Sequence, residues 1–408
     1  IIAIQKPRSD RRKALLDECI ELKIKVQKVP DPKSWINGEF TSKQFVKAKI
    51  EDLLGREEIK LNISKINENL TGKKILITGA AGSIGSGLVK QIAKFNPSLL
   101  ILFDQAESGL YDLQWEIKEE APDVKFEIVI GDVTHKKRVE NLIRSFTPEI
   151  VFHAAAYKHV PLMELNPSEA VKTNILGSKI LIDTCDIFGV EKFVFISTDK
   201  AVNPTNVMGA SKRVAEIYAQ HKNTLSKTQF ITTRFGNVLG SNGSVIPLFQ
   251  RQIENGGPIT ITDERITRFF MSIPEACQLV LEASVMGNGG EIYVFDMGDS
   301  VKIMDLARKM ISLSGMTVGK DIQIKVTGLR PGEKLYEELL ANEENTLPTH
   351  HDKILIAKTS VKKEIDEKIE AVIGLIDGQK NDELVTIIKD IVPEYRSQNS
   401  TFEKLDKT

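Results

Sequence analysis

A glycine-rich turn between an apolar segment and a helical pattern constrains this chain more than any other feature. The segment KKILIT (residues 73–78) has the apolar run of a buried strand, and GAAGSIGS follows it directly. Apolar residues then recur at helical spacing from Leu88 onward. Glycines in such a strand–turn–helix let the backbone approach a pyrophosphate, whose charge the helix N-terminus stabilises. We therefore predict a dinucleotide-binding turn, rather than a plain tight turn, at Gly79, Gly82 and Gly85.

An acidic residue ends the next apolar run, LLILFD. Asp104 lies at the carboxyl end of this predicted strand, about twenty residues after the glycine turn. A carboxylate at this place accepts hydrogen bonds from the adenosine ribose hydroxyls and repels a 2′-phosphate. The residues that follow directly, Gln105, Ala106 and Glu107, include no Arg or Lys that would attract such a phosphate. The pattern favours NAD over NADP as the cofactor.

Two more apolar segments continue the alternation of strands and helices. FEIVIGD ends at Asp132, which is placed either to meet the adenine edge or to cap the following segment. EIVFHAAAYKH carries small residues that allow close cofactor contact, Ala154, Ala155 and Ala156. The alternation predicts an α/β fold with a Rossmann-type, doubly wound parallel sheet, in which residues 193–196 form the fifth strand, near the nicotinamide.

That fifth strand ends abruptly in polar residues. In FISTDKAVNPTNVMGASKR the apolar run gives way to Thr198, Asp199 and Lys200. In open α/β sheets ligands bind at the carboxyl ends of the strands. Met208 and Lys212 follow, four residues apart and therefore on one face of a helix. Taken alone, Asp199 and Lys200 fit equally a cap for the next element in which the two side chains pair with each other.

The chain after the fifth strand is predicted to supply a smaller substrate-binding part, mainly beyond residue 236. A polar loop there fits a diphosphate or a sugar; its polar residues are Asn237, Ser241, Asn242 and Ser244. Three scattered cations fit either phosphate contacts or a solvated surface: Arg251, Arg268 and Arg330. The segment GLRPGEKLYEEL (residues 328–339) predicts a turn that leads into a helix.

The two ends of the chain predict less chemistry. A strand at residues 1–5, a helix at 11–22 capped by residues 9–10, and a strand at 24–29 resemble the end of a parallel βαβ layer, followed by a linker. Because the chain starts at Ile1 rather than Met, we expect a fragment of a longer protein. Residues 346–408 predict a strand and amphipathic helices that serve packing or assembly. The predicted domains are a partial N-terminal α/β segment with linker (1–70), a catalytic domain (71–345) and this C-terminal part.

Composition excludes several classes of protein. A formal net charge of −1 gives no electrostatic case for nucleic-acid binding. Hydrophobic content of 41% and charged content of 27% fit a globular chain, and no apolar run approaches the length of a membrane span. The three cysteines (Cys19, Cys185 and Cys277) are too widely spaced for a disulfide framework or a zinc site, so we predict a reducing compartment and no metal.

Ordered motifs across residues 70–360 carry a family resemblance. They are TGAAGSIG, FD, GDV, HAAAYKHVPLME, STDKAVNPTNVMGASKR, RFGNVLGSNGSV, TRFFM and GLRPGEKLYEEL. Together they resemble the extended short-chain dehydrogenase/reductase group, and more narrowly the bacterial nucleotide-sugar 4,6-dehydratases of capsule, lipopolysaccharide and protein-glycan biosynthesis.

The resemblance implies a substrate, a product and a location. The substrate is UDP-N-acetylglucosamine, and the product is UDP-2-acetamido-2,6-dideoxy-4-keto-hexose. Large members of the family carry N-terminal membrane helices, so the full-length protein is expected at the cytoplasmic face of the cell membrane, while this fragment is expected to be soluble. A homo-oligomer is also expected.

The resemblance also assigns catalytic residues. Thr198, Asp199 and Lys200 match the catalytic Thr-Asp-Lys, with Thr198 on the C4 oxygen, Asp199 as the acid and Lys200 as the C5 base. Because the adjacent pair is coupled, Asp199 and Lys200 could exchange roles. Lys212 is expected to bind the nicotinamide ribose. Met208 stands where most relatives have a catalytic Tyr, and a thioether cannot take a proton. Met at this place resembles the large members, which retain configuration at C5.

The remaining site residues follow from the matched motifs. Further expected cofactor contacts are Ser83, Ile84, Val133 and Asn174. Expected substrate contacts, besides the polar loop and the arginines, are Lys158, His159, Glu164 and Glu333, with a helix-start salt bridge as the alternative role of Lys158 and Glu164. Three alternatives stay open: an inverting dehydratase, a UDP-sugar 4-epimerase or reductase, and a non-catalytic NAD-binding sensor.

Overall fold

The chain divides into two compact units. The computed structural model describes residues 1, 9–22, 24, 26–29, 46–47, 59, 61–338, 346–358 and 365–406. The smaller unit comprises Ile1–Ile59, Val238–Ser272 and Ser300–Gly328, and the larger one comprises Lys60–Asn237, Ile273–Asp299 and Leu329–Thr408. The domain boundaries predicted near residues 70 and 345 stay a prediction.

A sheet of nine strands, counted over the described residues, forms the centre of the larger unit. Its strands in chain order are β3 (Lys74–Thr78), β4 (Leu99–Asp104), β5 (Phe126–Ile130), β6 (Ile150–His153), β7 (Lys192–Thr198), β8 (Gln229–Phe235), β13 (Ile292–Phe295), β16 (Thr346–Pro348) and β17 (Ile354–Ala357). The remaining strands in the described residues (β1, β2, β9 to β12, β14 and β15) are short and do not belong to this sheet.

The sheet is doubly wound. Its spatial order is β5-β4-β3-β6-β7-β8-β13-β17-β16, and the pairs from β5 to β13 are all parallel. β17 pairs antiparallel with β13, and β16 pairs antiparallel with β17. The chain reverses its direction of winding at β3, and ligands bind outside the carboxyl ends of strands at such a switch point. The predicted Rossmann-type parallel sheet is confirmed.

Burial on both faces explains the continuous apolar runs of the central strands. In β3 the side chains of Ile75, Leu76 and Ile77 are fully buried, as are those of Phe193 and Phe195 in β7. Strands covered by helices on both sides have no solvent face, so their sequences do not alternate between apolar and polar residues.

The described residues of the larger unit also form helices. They are α2 (Ile63–Leu70), α3 (Ser83–Ile92), α4 (Glu107–Glu120), α5 (Lys136–Phe146), α6 (Val160–Leu165), α7 (Pro167–Ala170), α8 (Ser178–Phe188), α9 (Val207–Asn223), α11 (Ile273–Met286), α13 (Asp366–Gly374) and α14 (Asn381–Ile391). A π-helical segment, Val171–Gly177, leads into α8. The helix predicted directly after the glycine turn is present as α3.

The C-terminal part contributes to the same core. Ile369 of α13 and Leu384 and Ile388 of α14 are fully buried in one apolar cluster with Val214 of α9. The segment predicted to serve packing therefore adds two strands and two helices to the larger unit.

The smaller unit is built from short elements. They are α1 (Ser9–Glu21), β1 (Gln27–Lys28), β2 (Val46–Lys47), α10 (Val245–Glu254), β10 (Ile259–Ile261), β11 (Thr267–Arg268), β12 (Phe270–Met271), β14 (Val301–Lys302), α12 (Ile303–Leu313) and β15 (Ile324–Val326), while β9 (Asn237–Val238) lies at the unit boundary. β10 pairs parallel with β15, and β11 pairs antiparallel with β14. The ammonium of Lys309 lies 2.5 Å from a carboxylate oxygen of Asp17, which joins α12 to α1.

The N-terminal predictions are only partly covered by the described residues. The strand at residues 1–5 lies outside them except for Ile1. The helix is α1, and it includes residues 9 and 10, which were predicted to cap it. Within the second predicted strand the described residues include β1, which pairs antiparallel with β2. The parallel layer stays a prediction, because its first strand lies outside the described residues. No helix in the parts of the chain described here has the length and apolar character needed to cross a membrane.

Candidate active site

The glycine turn brings β3 and α3 against the loop after β6. Gly79 adopts a φ of +68°, and a Cβ there would lie 2.5 Å from the backbone nitrogen of Ala155. A Cβ on Gly85 would lie 2.0 Å from the carbonyl oxygen of Gly79. Gly82 precedes α3 in an extended conformation and makes no side-chain cap. The first turn of α3 therefore presents its N–H groups in the manner of an anion-binding helix terminus, and this cradle fits a dinucleotide pyrophosphate.

Asp104 ties this turn to the end of β4. Its Oδ2 accepts a 3.0 Å hydrogen bond from the N–H of Ala81, and its Oδ1 accepts a 2.9 Å bond from the N–H of Ala106. A carboxylate oxygen accepts more than one hydrogen bond, so a ribose hydroxyl is still a possible partner. Asp104 thus holds the glycine turn, and its contact with the adenosine ribose stays a prediction.

The residues predicted at the adenine edge have structural partners. Oδ1 of Asp132 accepts a 2.8 Å hydrogen bond from the N–H of Thr134, in the turn that precedes α5, whose cap residue is His135, so the capping role left open for Asp132 is not the one it has here. Val133 is buried, and a Cβ on Gly177 would lie 2.7 Å from its Cγ2 atom.

Asn174 lies fully buried in the π-helical segment. Its amide oxygen accepts a 2.9 Å bond from the N–H of Tyr157, and its Nδ2 donates to the carbonyl of Tyr157 at 3.0 Å and to Oγ of Ser211 at 2.9 Å. Asn174 therefore fixes the backbone of the loop after β6 against α9. Ser211 and this bridging role were not predicted, since nothing local in the sequence joins these segments.

The carboxyl end of β7 delivers the predicted catalytic residues. β7 ends at Thr198, and a single 3₁₀ turn, Asp199–Ala201, follows. The hydroxyl of Thr198 donates a 2.8 Å hydrogen bond to Oδ1 of Asp199. It also accepts a 3.4 Å bond from the backbone N–H of Lys200, which caps the turn.

Asp199 is a buried carboxyl with one unused oxygen. Only 3% of its side chain is exposed. Its Oδ2 is buried and has no hydrogen-bond partner among the described residues, and a Cβ on Gly236 would lie 2.7 Å from it. Burial raises the pKa of Asp199, the nearby charge of Lys200 lowers it, and the negative charge of Glu337 raises it further. The carboxyl therefore binds a proton more tightly than an ordinary aspartate.

The amine of Lys200 joins this carboxyl to a second one. Nζ lies 3.0 Å from Oδ1 of Asp199 and 3.1 Å from Oε1 of Glu337. It also donates to Oδ1 of Asn237 at 3.5 Å. The side chain of Glu337 is only 4% exposed. Glu337 was not predicted; the signal for it was the motif GLRPGEKLYEEL, which places a further carboxylate four residues after Glu333.

Met208 and Lys212 lie on the buried side of α9. Met208 belongs to the apolar core. Nζ of Lys212 lies 3.9 Å from the ring centroid of Phe195 and has no hydrogen-bond partner among the described residues. Burial lowers the pKa of Lys212 to about 7, while Glu216 opposes this shift. A buried amine without a protein acceptor fits a hydroxyl ligand such as a ribose.

The predicted hexose contacts differ in exposure. Lys158 and His159 are exposed on the loop after β6. Glu164 is buried, its Oε1 accepts a 2.6 Å bond from the N–H of Val207, and its Oε2 accepts a hydrogen bond from the hydroxyl of Ser400. Both oxygens of Glu164 thus have protein donors, one of them at the start of α9. The contact lies at the start of a helix, as in the alternative role of Glu164, but its donor is a backbone N–H rather than the cation of a salt bridge.

The segment after Leu329 is held by side-chain contacts rather than by a helix. Arg330 is exposed, and its guanidinium lies 3.2 Å from Oε1 of Glu333. Nζ of Lys334 donates a 3.0 Å bond to the carbonyl of Asn203. The helix predicted here is not formed by residues 328–338, and Leu339 lies outside the described residues.

Predicted substrate residues also lie in the smaller unit. Ser244 precedes α10, and its hydroxyl is buried without a partner among the described residues. Arg251 is exposed on α10. Arg268, on β11, donates a 2.8 Å bond to the carbonyl of Thr267. No group of three or more His, Cys, Asp or Glu within the described ranges is placed to hold a metal ion.

Comparison with known proteins identifies the family. The family profile described as polysaccharide biosynthesis protein matches residues 75–359. The chain belongs to this family. The match covers the whole glycine turn and the catalytic stretch, and it ends within the C-terminal part.

Individual proteins similar to this polysaccharide biosynthesis family member support the same family assignment. The capsular polysaccharide biosynthesis protein CapD of Staphylococcus aureus is 46% identical over 384 residues, which are 93% of this chain and 64% of that protein. This chain therefore spans less than two thirds of that relative's length. The inverting UDP-N-acetylglucosamine 4,6-dehydratase of Campylobacter jejuni is 34% identical over 82% of this chain and 98% of its own length.

A solved structure shares the fold. Pen from Bacillus thuringiensis is 34% identical and has a TM-score of 0.65, covering 73% of this chain and 90% of its own. These matches confirm the predicted resemblance to nucleotide-sugar 4,6-dehydratases of the extended short-chain dehydrogenase/reductase group.

Proposed function

We propose that this chain is an NAD-dependent 4,6-dehydratase that converts UDP-N-acetylglucosamine into UDP-2-acetamido-2,6-dideoxy-4-keto-hexose. The observation that carries the proposal is the buried Asp199–Lys200 pair after β7, in which one carboxyl oxygen of Asp199 is unused. An acid and a base side by side at the carboxyl edge of the sheet suit the removal of water from a sugar. The Campylobacter jejuni relative, which carries this activity in its name, supports the choice of substrate.

The cofactor proposal rests on the glycine cradle and two side chains. Gly79, Gly82 and Gly85 would hold the pyrophosphate, Asp104 the adenosine ribose and Lys212 the nicotinamide ribose. When bound, NAD⁺ would supply reversible hydride transfer, out of C4 and back into C6 of the sugar. Because that exchange is redox-neutral, the cofactor need not leave between turnovers.

Asp199 would carry one proton from C4 to C6. It begins as a carboxylate, takes the proton of the C4 hydroxyl and becomes the acid that protonates the C6 hydroxyl, so that water leaves. Because burial and Glu337 raise the pKa of Asp199, it is a stronger base than an ordinary aspartate and remains able to donate. Thr198 would hydrogen-bond the C4 oxygen during this transfer.

Lys200 would act at C5. The C4 ketone acidifies the C5 proton, so a neutral amine is a sufficient base. The amine takes that proton, the C–H electron pair stays on the sugar, and the same ammonium returns a proton to C5 after C6 is reduced. Because Asp199 and Lys200 are in contact, their titrations belong to the pair and the two roles could be exchanged.

The substrate-binding residues stay a proposal. Lys158 and His159 are exposed on the loop after β6, the strand that pairs with β7, and are proposed for the hexose. Asn237, Arg330 and Glu333, all of the larger unit, are proposed for UDP. Ser244, Arg251 and Arg268, which belong to the smaller unit, stay predictions from the sequence. Glu164 is left out, because its side chain is buried and its two oxygens are bonded to the start of α9 and to Ser400.

For C5 we propose retention of configuration, with Met208 as its support. A second candidate is inversion, which the name of the Campylobacter jejuni relative favours. The expected homo-oligomer and the membrane anchor of a longer protein stay predictions that rest on the family resemblance.

One incubation tests the function. Purified protein is mixed with UDP-N-acetylglucosamine, and the product is followed by proton NMR. We expect a C6 methyl group and a C4 ketone, and the ring-proton couplings after reduction of the ketone assign C5. A product that keeps its C6 hydroxyl with an inverted C4 would instead identify a 4-epimerase, and bound NAD without turnover would identify a sensor.

A further inference from the structure

We propose that Glu337 is a positioning residue of this site, which holds the Lys200 amine against Asp199 and is the carboxylate through which Lys200 releases and regains a proton. The inference rests on the proposed dehydratase function and deepens it. It assigns a role to a residue that the catalytic motif after β7 does not contain.

Geometry carries the inference. Nζ of Lys200 lies between two carboxylates, 3.0 Å from Asp199 and 3.1 Å from Glu337. The three side chains are largely buried, with exposed fractions of 17% for Lys200, 3% for Asp199 and 4% for Glu337. Burial disfavours the charged forms of all three side chains, and both carboxylates contact one amine, so a proton can move among them.

The chemistry at C5 requires such a partner. Lys200 must be neutral to remove the C5 proton, yet two adjacent carboxylates favour its charged form. In the proposed cycle Asp199 carries the proton of the C4 hydroxyl, so it is not available as the acceptor. Glu337 is the other carboxylate shown in contact with the amine, at 3.1 Å.

The proton transfers balance. Nζ gives one proton to Oε1 of Glu337, which leaves a neutral amine beside a neutral carboxylic acid. The amine lone pair then takes the C5 proton, and the ammonium later returns one proton to C5. Finally Glu337 gives its proton back to Nζ, so both side chains regain their starting charge.

The surroundings of Asp199 support the same inference. The charged groups with the largest effect on it are Lys200, its sequence neighbour, and Glu337, from the segment after Leu329. Thr198 and Asn237 add uncharged contacts to the Asp199–Lys200 pair. The negative charge of Glu337 raises the pKa of Asp199. Removing that charge should therefore lower this pKa, and a residue with only a packing role would not change it.

The test compares Glu337→Gln, Glu337→Asp and the control Glu338→Gln. Gln keeps the size but cannot take a proton, while Asp restores the carboxylate. Glu338 is an adjacent carboxylate with an exposed side chain that bonds to Asn203. We expect Glu337→Gln to lower kcat about a hundredfold with KM unchanged, as for a lost acid–base group. Glu337→Asp should recover part of this loss, and Glu338→Gln should behave as the wild type.

Two pH measurements complete the test. The acidic limb of the kcat profile, at which Asp199 becomes protonated, should move to lower pH in Glu337→Gln. In protein labelled with ¹³C at the aspartate carboxyl, the resonance that Asp199→Asn removes should titrate at lower pH in Glu337→Gln than in the wild type. A kcat within about threefold of the wild type would overturn the inference, because loss of an acid–base group costs far more.

The carboxyl titration separates the two proposals. If the wild type makes no 4-keto product, the dehydratase function fails, while a shifted Asp199 titration still supports the coupling to Glu337. If the wild type is active and the Asp199 titration is the same in Glu337→Gln, the inference fails and the function stands. If Glu337→Gln does not fold, Glu337→Asp is the deciding variant. The inference then requires that its kcat and its pH profile differ from those of the wild type.

Discussion

The carboxylate of Glu164 accepts a 2.6 Å hydrogen bond from the N–H of Val207, the first residue of α9. Oε2 of the same carboxylate accepts a hydrogen bond from Ser400, near the C-terminus. α9 also carries Met208 and Lys212, so Glu164 supports the start of a helix that belongs to the proposed site. Its position indicates a structural role rather than the predicted hexose contact.

Replacement of Glu164 should therefore affect stability more than substrate binding. Glu164→Ala leaves the buried N–H of Val207 without an acceptor, which costs about 1–3 kcal/mol of the free energy of unfolding. Urea denaturation measures this cost, and Glu119→Ala, at an exposed position of α4, is the control. A normal unfolding midpoint combined with a strongly raised KM for the UDP-sugar would restore the hexose contact.

Asp199 and Lys200 should both be required for turnover. Asp199→Asn or Lys200→Met should lower kcat by about two to four powers of ten, the usual contribution of a positioned acid or base. Nucleotide content should be unchanged, because neither residue is among those proposed for the cofactor. Near-normal turnover in either variant would remove that residue from the mechanism.

The purified protein should contain NAD(H) rather than NADP(H), and chromatography of the denatured protein measures this. Because Asp104 also accepts the N–H of Ala81 in the glycine turn, Asp104→Ala should weaken nucleotide retention as well as the preference for NAD. Asp104→Asn keeps one acceptor and removes the charge, so it should loosen the preference more than the retention. Recovery of mainly NADP(H) from the wild type would contradict the assignment.

Met208 should be a spectator. Its side chain is buried in the apolar core of the larger unit, and a thioether has no proton to exchange. Met208→Leu should keep most of the activity, since the two side chains are similar in volume. A rise in kcat of about a hundredfold in Met208→Tyr, the effect expected of a gained acid–base group, would show that the missing phenol limits the enzyme.

Lys212 should make the stability of the cofactor-free protein depend on pH. Burial lowers its pKa from 10.5 to about 7 in the folded state. Between these values the unfolded state binds more protons, so the free energy of unfolding should rise as pH rises from about 7 towards 10.5. Lys212→Met should remove this contribution, while Lys137→Met, at an exposed position of α5, should keep it. Equal pH slopes for the wild type and Lys212→Met would contradict the shifted pKa.

The sequence by itself determined the sheet and the turn that begins it. The apolar runs that became β3, β4 and β7 are local, and strands buried on both faces must be apolar throughout. The close turn at Gly79 and Gly85 was also predictable from the sequence, because only residues without a Cβ allow the backbone approaches seen there. The stretch from Thr198 to Lys212 was predictable because its pattern is local: it begins at the end of one strand and continues into one helix.

Tertiary structure decided which side chains meet across long stretches of the chain. Glu337 reaches Lys200, Ser400 reaches Glu164, and Asn174 joins the loop after β6 to α9. Each contact depends on the packing of segments that no local pattern links, and an acidic residue in a motif has the same appearance whether it faces solvent or a buried amine. Burial also shifts pKa values: that of Asp199 is raised and that of Lys212 is lowered, because the fold removes water from both side chains. The position of these residues in the sequence does not show how deeply they are buried.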